Sequence, residues 1–234
     1  MIETLTPLSE SQRAIQQMAR EFAQRELAPH AGAWDRAAQA DPAVRRKLGE
    51  LGFLGMLLPE DVGGLALDSL SYLLALEEIA AADASTAVLM SVHNSLPTRM
   101  ILRFGTDAQR AAFLPRMASG EWLGAFALSE PDAGSDATAL TTQAVRDGDH
   151  WVLNGTKAWV SNGNVADVIL TLARTDSADS RRGSRGISAF IVTPDLPGFT
   201  VGKKEEKMGL RASPTVQLRF DDLRVPADRL LGAE

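Results

Sequence analysis

The sequence contains no cysteine, and among its 234 residues it has only three histidines and one tyrosine. The absence of cysteine excludes disulfides, thiolate metal sites and cysteine nucleophiles. His30, His93 and His150 are far apart and lack the spacing of a histidine-built metal site. A basic excess is missing too, since 24 Lys and Arg against 30 Asp and Glu give a formal net charge of −6. This balance argues against nucleic acid as a partner, because phosphate binding requires a positive face.

Long hydrophobic runs are also absent. The longest apolar run, Leu51 to Leu58, is interrupted by Gly52 and Gly55 and falls far short of the ~20 residues that span a membrane. The amino-terminal residues lack the basic and apolar regions of a signal peptide. We therefore expect a soluble, cytoplasmic protein with no membrane partner.

The first half of the chain carries helical patterns. Ser9 and Gln12 form a capping box ahead of an apolar face of helical period, and Pro29 is expected to end that helix. Further helices are predicted from Asp41-Pro42 to Gly52, from Asp68 or Ser69 onward, over residues 85–104, and from Thr106 to Gly120. Residues 1–122 are therefore expected to be an all-α helical bundle.

After Trp122, short apolar runs alternate with turn residues, which indicates strands. The predicted strands cover residues 123–128, 151–153, 157–160, 168–173, 187–192, 199–201 and 216–220. Asn154-Gly155 predicts a tight hairpin turn. Residues 174–185 predict a long exposed loop, whose Arg181, Arg182 and Arg185 could bind an anion or simply be solvated. Residues 123–234 are expected to form a small β-barrel or sandwich, which gives an α+β fold with two domains.

Two segments of the second half carry polar groups suited to a ligand. Residues 126–136 run from a strand into a Pro/Gly turn, so backbone N–H groups and the hydroxyls of Ser129 and Ser135 can face a phosphate or a polar ring edge. An ordinary connecting turn is the commoner role of such a segment. In residues 159–163 the ring of Trp159 neighbours the hydroxyl of Ser161, which suits a planar heterocycle, although core packing is the commoner role of tryptophan.

Other candidate residues carry less chemistry. Glu77 and Glu78 are adjacent on a predicted helix and do not share a face, so we expect solvated side chains rather than an acid/base couple. His93 is expected to be a hydrogen-bonded core residue rather than a catalyst. The sequence contains no P-loop, dinucleotide-binding glycine motif, nucleophile elbow or H-E-x-x-H motif. The residues alone therefore indicate a ligand-binding β module beside a helical bundle, without a convincing acid or base.

The order of several motifs resembles the acyl-CoA dehydrogenase family, close to its short-chain and branched-chain members. The matching motifs are L-P-E-D-V-G-G at 58–64, F-G-T at 104–106, F-A-L-S-E-P at 126–131, G-S-D at 134–136, L-N-G-T-K-A-W-V-S-N-G at 153–163, G-I-S-A-F at 186–190, K-K-E at 203–205, K-M-G at 207–209, and F-D-D at 220–222 before V-P at 225–226. Each motif is weak alone, but together they span nearly the whole chain and are highly specific.

The resemblance implies an FAD enzyme that oxidises an acyl-CoA to the trans-2-enoyl-CoA. It implies electron transfer to an electron-transfer flavoprotein and, at full length, a homo-oligomer (dimer or tetramer). The cofactor-binding residues that it implies are Phe126, Leu128, Ser129, Trp159, Val160 and Ser161. Ser129 would bond the pyrimidine side of the flavin, Trp159 would pack against the ring system, and Ser161, where the family commonly has threonine, would bond near flavin N5. Ser135 would contact the acyl-CoA thioester.

The resemblance also implies a part that this sequence lacks. Family members continue beyond the segment matching 230–232 into a C-terminal four-helix bundle that holds the catalytic glutamate and part of the FAD site, whereas this sequence ends at Glu234. We therefore expect no catalytic residue in these residues, an inactive chain and weak retention of FAD. The lack of cysteine and of suitably spaced histidines separately predicts no metal ligand.

Several functions stay open at this point. The main alternative is a non-catalytic flavin- or acyl-CoA-binding module, or an assembly subunit that needs a partner chain. Acyl-CoA oxidases and some flavin monooxygenases share the implied fold. The segment 92–96 would lie near the acyl chain, and its polar His93 and Asn94 suggest a short or functionalised acyl group.

Overall fold

A computed structural model describes residues 7–176 and 183–232 of the chain. Helices come first and strands follow, as expected. The helices are α1 (Glu10–Phe22), α2 (Ala28–Ala37), α3 (Ala43–Glu50), α4 (Ser69–Ala82), α5 (Ala84–Ser95), α6 (Pro97–Phe104) and α7 (Asp107–Ala118). The strands are β1 (Gly124–Ala127), β2 (Gln143–Asp147), β3 (His150–Ser161), β4 (Val168–Arg174), β5 (Ile187–Val192), β6 (Phe199–Lys204), β7 (Thr215–Pro226) and β8 (Leu230–Leu231). The expected fold class, a helical region followed by a sheet domain, is confirmed.

The first helical run is longer than the sequence pattern predicted. Its capping box is present, because the Ser9 hydroxyl accepts from the Gln12 N–H and the Gln12 side chain accepts from the Ser9 N–H. Pro29 does not end this run. A π-helical turn, Ala23–Leu27, joins α1 to α2, and Pro29 lies in the first turn of α2. The wide turn already interrupts the regular hydrogen-bond ladder, so proline is tolerated at this point.

Proline has the opposite effect between α5 and α6. The single helix predicted here is in fact two, because Pro97 has no N–H to continue the ladder and instead starts α6 after the break at Leu96. The starts predicted for α4 and α7 are confirmed. Asp68 accepts from two N–H groups in the first turn of α4, and Thr106 and Gln109 form the capping box of α7.

The strands form one strongly curved sheet. Their order is β6-β7-β3-β2-β4-β5-β8, and β1 pairs in parallel with β4. Trp151 on β3 and Phe190 on β5 are separated by two strands in this order, yet their ring centroids are 5.5 Å apart. The sheet therefore curls around an apolar core, which includes Leu153, Ile169 and Leu218.

The hairpin predicted at Asn154-Gly155 is wrong. Strand β3 continues through both residues and pairs with β7, while the turn between β2 and β3 lies at Gly148 (φ +60°). Asn154 lies at a β-bulge instead. Its side-chain amide donates to the Asp222 carboxylate (3.0 Å), and its amide oxygen accepts from the Asp222 N–H (2.8 Å). Pairing with β7 thus overrides the local turn signal.

The helical region and the sheet are joined by buried contacts. Phe113 and Met117 of α7 pack with Leu170 of β4 in one apolar cluster. The Gln109 side chain donates to the Leu230 carbonyl (2.9 Å), which ties the start of α7 to β8. The two parts therefore share a core rather than merely touching.

The loop predicted over 174–185 begins later than expected. Arg174 ends β4 and is almost completely buried, where it donates to backbone carbonyls of a neighbouring loop and pairs with Asp176 (2.9 Å). Arg185 is exposed in a 3₁₀ turn. Arg181 and Arg182 lie outside the described residues, so the anion-binding hypothesis for this loop stays a prediction.

Candidate functional site

The structure brings together the two segments that the sequence analysis singled out. The chain that leaves β1 lies beside the carboxyl-terminal end of β3, where the Ala158 N–H donates to the Ser129 carbonyl (2.8 Å). The buried Lys157 side chain makes a second link, from its ammonium group to the Leu128 carbonyl (3.1 Å). We call the surface formed by residues 126–129 and 159–161 the shelf.

Trp159 is the exposed aromatic residue of the shelf. Its 63% exposure rules out the core-packing role that is commoner for tryptophan. Its φ of +59° is a left-handed conformation that bulky residues rarely adopt. A β-bulge lies here, since β3 advances three residues from Lys157 to Val160 while β7 advances two from Leu218 to Val216. The bulge re-aims the indole, and backbone strain of this kind clusters at ligand sites.

Free hydrogen-bonding groups accompany the indole. Neither the hydroxyl of Ser129 nor that of Ser161 has a hydrogen-bond partner among the residues that the structure describes. The Ser129 N–H is also without a partner in the described part of the chain. Phe126 and Leu128 are half-buried, whereas Val160 is fully buried. The shelf thus combines an aromatic face, apolar surface and several free donors.

Glu130 and Lys157 form a buried ion pair next to the shelf. Their side chains are 3% and 0% exposed, and the carboxylate and ammonium groups lie 2.7 Å apart. Glu130 also accepts from the N–H groups of Thr141 (2.6 Å) and Thr142 (3.0 Å). Burial on its own raises the pKa of Glu130, but the hydrogen bonds from Lys157, Thr142 and Thr141 outweigh burial and lower that pKa to about 2. Glu130 is therefore a fixed anion rather than a proton acceptor.

Sequence reasoning gave this ion pair no role. The sequence did carry a signal for a buried charge. Side chains of β3 alternate between two faces, residues 151, 153 and 157 lie on the inward face, and residue 157 is a lysine. A charge at an inward position requires a buried partner. The false hairpin at Asn154-Gly155 concealed this alternation.

Ser135 lies on the exposed loop that follows Glu130. Asp136 accepts from the Thr138 N–H (3.0 Å) and so caps a short 3₁₀ turn, while Glu130 holds Thr141 at the far end of the loop. Ser135 is exposed, and its hydroxyl has no hydrogen-bond partner within the described residues. This hydroxyl is therefore available to a ligand.

His93 and Asn94 do not line an acyl pocket. His93 is fully buried, with Nε2 3.1 Å from the Met117 carbonyl and Nδ1 accepting from the Gly124 N–H (2.9 Å). Asn94 is also buried, and it donates to the Phe53 carbonyl (2.9 Å). The core role expected for His93 is confirmed. These two side chains therefore give no support to a short or functionalised acyl group, which stays a prediction.

The adjacent acids on α4 occupy different environments. Glu77 is exposed, as expected, and does not share a face with Glu78. Glu78 is partly buried rather than solvated, since it pairs with Arg20 (2.6 Å) and accepts from Gln16 (3.1 Å). Glu78 therefore cross-links α1 and α4.

A cavity of about 490 Å³ lies between the helices and the sheet. It is bounded mainly by residues 38–45, the first turn of α5, residues 164–167 and residues 212–214, and no shelf residue lines it. Arg45 and Asp167 on its wall form an ion pair (2.7 Å). The cavity and the shelf thus have different lining residues and are two candidate places for a ligand.

Residues 7–176 and 183–232 lack both a candidate metal site and a membrane-spanning helix. They contain no group of three or more His, Asp or Glu side chains placed to hold a metal ion. Their helices are also too short or too polar to cross a membrane.

Two family models together match most of the chain. Residues 9–121 match the N-terminal domain of acyl-CoA dehydrogenase, and residues 125–223 match its middle domain. The chain belongs to the acyl-CoA dehydrogenase family. The resemblance that the sequence motifs carried is confirmed.

Other members of the acyl-CoA dehydrogenase family and solved structures are similar over nearly the whole chain. The mitochondrial short-chain specific acyl-CoA dehydrogenase of Mus musculus is 48% identical over 225 residues, which are 96% of this chain and 54% of that protein. A glutaryl-CoA dehydrogenase of Mycobacterium smegmatis in complex with FADH2 has a TM-score of 0.90 at 38% identity, covering 97% of this chain and 56% of its own. A structure described as the electron transferring flavoprotein of Acidaminococcus fermentans has a TM-score of 0.94 at 44% identity, covering 99% of this chain and 60% of its own. This chain spans about half the length of the curated relatives it matches.

Proposed function

We propose that the shelf binds the flavin of FAD and that the chain forms part of an acyl-CoA dehydrogenase. The observation that carries the proposal is the exposed indole of Trp159, which the bulge presents on the same paired segments as the unpartnered hydroxyls of Ser129 and Ser161. An aromatic face with donors at its edge fits a planar heterocycle with polar ring edges. The FADH2 complex of the glutaryl-CoA dehydrogenase supports this choice of heterocycle.

Each residue of the shelf has a task in this proposal. Trp159 packs its ring against the flavin, Ser129 donates to the pyrimidine edge, and Ser161 donates near N5. Donors at these edges stabilise negative charge on a reduced ring. The proposed cofactor-binding residues are Phe126, Leu128, Ser129, Trp159, Val160 and Ser161. Because Val160 is buried, only its backbone contributes.

The same proposal divides the chemistry between cofactor and chain. Bound FAD supplies the acceptor for a hydride from the β-carbon of an acyl-CoA thioester. Ser135 donates its hydroxyl to the thioester group. Glu130 does not receive the α-proton, because its carboxylate is buried, ionised and held by Lys157 and the Thr141 and Thr142 N–H groups. We place the base that takes the α-proton outside residues 1–234.

The substrate and partners of the whole protein are part of the proposal. The Mus musculus relative, described as short-chain specific, supports a short acyl-CoA substrate. The Acidaminococcus fermentans structure supports an electron-transfer flavoprotein as the electron acceptor. A homo-oligomer, a cytoplasmic location and a domain boundary at residue 122 stay predictions.

A non-catalytic binding module or assembly subunit is the alternative. An acyl-CoA that reduces the bound flavin in the complete protein supports the enzyme, whereas binding without reduction supports the module. Reoxidation of the flavin by oxygen rather than by electron-transfer flavoprotein would favour an oxidase.

Titration of the 234-residue chain with FAD tests the shelf. We expect saturable quenching of flavin fluorescence, because the flavin stacks on an indole. Trp159→Ala should weaken FAD affinity about tenfold, through loss of the aromatic contact and of its buried area. Its melting temperature should change by less than ~2 °C, because a side chain that is 63% exposed adds little to the core.

Trp34→Ala is the matched control. Trp34 is another partly exposed tryptophan, but it lies on α2, where it stacks on His30 (ring centroids 5.4 Å apart). This variant should leave FAD affinity unchanged even if it lowers the melting temperature. If the two substitutions changed FAD affinity equally, Trp159 would not be part of the FAD site.

A further inference from the structure

Lys157 is buried behind the shelf and has no task in the proposed function. Its ammonium group donates to Glu130 Oε1 (2.7 Å) and to the Leu128 carbonyl (3.1 Å). Buried ion pairs seldom give more stability than apolar residues of the same volume, so stability alone does not explain a lysine here. The second bond points to another role, because its acceptor belongs to the shelf.

The bond to Leu128 fixes the direction of the next N–H group. In a trans peptide the C=O and the following N–H point in opposite directions, and the described chain has no cis peptide bond. With the Leu128 carbonyl directed at Lys157, the Ser129 N–H points away from Lys157. This N–H has no partner among the described residues. The Ser129–Glu130 peptide is fixed as well, because the Ala158 N–H donates to the Ser129 carbonyl (2.8 Å).

We propose that Lys157, held by Glu130, is a positioning residue that orients the Leu128–Ser129 peptide so that the Ser129 N–H faces the pyrimidine edge of the flavin. This inference rests on the proposed function of the shelf. A donor fixed in advance requires no ordering when the ligand arrives, whereas a peptide free to rotate must be ordered on binding. Glu130 acts through Lys157, since its carboxylate is anchored by Thr141 and Thr142 and locates the ammonium group.

Three variants separate positioning from stability. Lys157→Met removes the donor to Leu128 and leaves Glu130 as a buried unpaired charge, so it should also lower the melting temperature. Glu130→Gln keeps the Lys157 ammonium group, which donates to the Leu128 carbonyl. The double variant Glu130→Gln/Lys157→Met removes both charges and should recover much of the lost melting temperature. We expect FAD affinity about tenfold weaker in both variants without Lys157, and a smaller loss of up to about threefold in Glu130→Gln, where the Lys157 ammonium group remains but its anchor is weakened.

A second readout needs no cofactor. In the FAD-free chain, the amide resonance of Ser129 and its hydrogen exchange report the orientation of the Leu128–Ser129 peptide. Both should change in the two variants without Lys157. Val225→Ala is the matched control, because Val225 is a buried residue at the far end of β7 and its truncation destabilises the same sheet. It should leave the Ser129 amide and FAD affinity as in wild type.

The outcomes distinguish this inference from the proposed function. FAD affinity that follows melting temperature across all four variants would make Lys157 a structural residue only and overturn the inference. An unchanged Ser129 amide in the double variant would also overturn it. If wild type binds FAD and the variants without Lys157 bind it with the same affinity, the positioning role alone fails. If wild type does not bind FAD at all, the proposed function fails and the role of Lys157 toward the flavin fails with it.

Discussion

His93 has both ring nitrogens committed to backbone groups. The Gly124 N–H donates to Nδ1, so Nδ1 is the unprotonated nitrogen and Nε2–H donates to the Met117 carbonyl. Burial lowers the pKa of His93 from 6.5 to about 4, although the bond to Met117 opposes the shift. A second proton would place an N–H on Nδ1 against the Gly124 N–H. The fold therefore depends on neutral His93.

This arrangement predicts that acid weakens the fold through His93. Because its pKa is lower in the folded chain, the unfolded chain takes up a proton first as the pH falls from 6.5 toward about 4. Neutral His93 therefore adds up to about 3 kcal/mol to the free energy of unfolding above pH 6.5, and this contribution is lost as the pH falls toward 4. Urea unfolding of wild type and His93→Gln from pH 7 to pH 4.5 measures this loss of stability. The gap in unfolding free energy between them should narrow with acid, and a constant gap would contradict the account.

Individual residues were predictable where a short pattern fixes their role. The capping box of Ser9 and Gln12 follows from local spacing, and the core role of His93 follows from its place in an apolar helix. The proposed site was predictable only through combined motifs, because Ser129 and Trp159 are thirty residues apart and no local rule pairs them. Lys157 was missed because the false hairpin at Asn154-Gly155 concealed the alternation of β3, and no local rule names its partner. Its partner Glu130 reaches it only through the tertiary fold.

At the scale of elements, β3 depends on close approach to the loop before β2. A Cβ on Gly155 would lie 2.4 Å from the Thr142 hydroxyl oxygen and 2.8 Å from its Cα, and backbone atoms yield little. Gly155→Ala should therefore lower the unfolding free energy by about 1–3 kcal/mol through overpacking. In Gly134→Ala the added Cβ meets nothing within 4 Å, so this control should change stability by less than ~0.5 kcal/mol. Equal unfolding midpoints in urea for the two variants would contradict the close approach.

Element boundaries show where local signals fail. Pro97 divides a helix as its chemistry requires, but Pro29 does not, because the preceding π turn already interrupts the ladder. Asn154-Gly155 is a strong hairpin signal, yet pairing of β3 with β7 keeps the strand continuous. Such outcomes depend on partners distant in sequence, and the periodicity of one segment does not encode them.

At the scale of the whole molecule, the shared core predicts one cooperative unfolding transition. The cluster that joins Phe113 and Met117 to Leu170 cannot lose one half without exposing the other. A variant with Trp34, Trp122 and Trp159 changed to Phe keeps only Trp151, which is buried in the sheet. Its fluorescence and the helical circular dichroism should change at the same urea concentration. Separate midpoints would show that the helical region and the sheet fold independently.

In our proposal, FAD binds at the shelf rather than in the 490 Å³ cavity between helices and sheet. The most direct test is titration of FAD into the ¹⁵N-labelled chain while its amide resonances are followed. We expect the largest chemical-shift changes at Leu128, Ser129 and residues 159–161. Largest changes at cavity residues such as Ser85 and Val165, or no saturable change at the shelf, would contradict it.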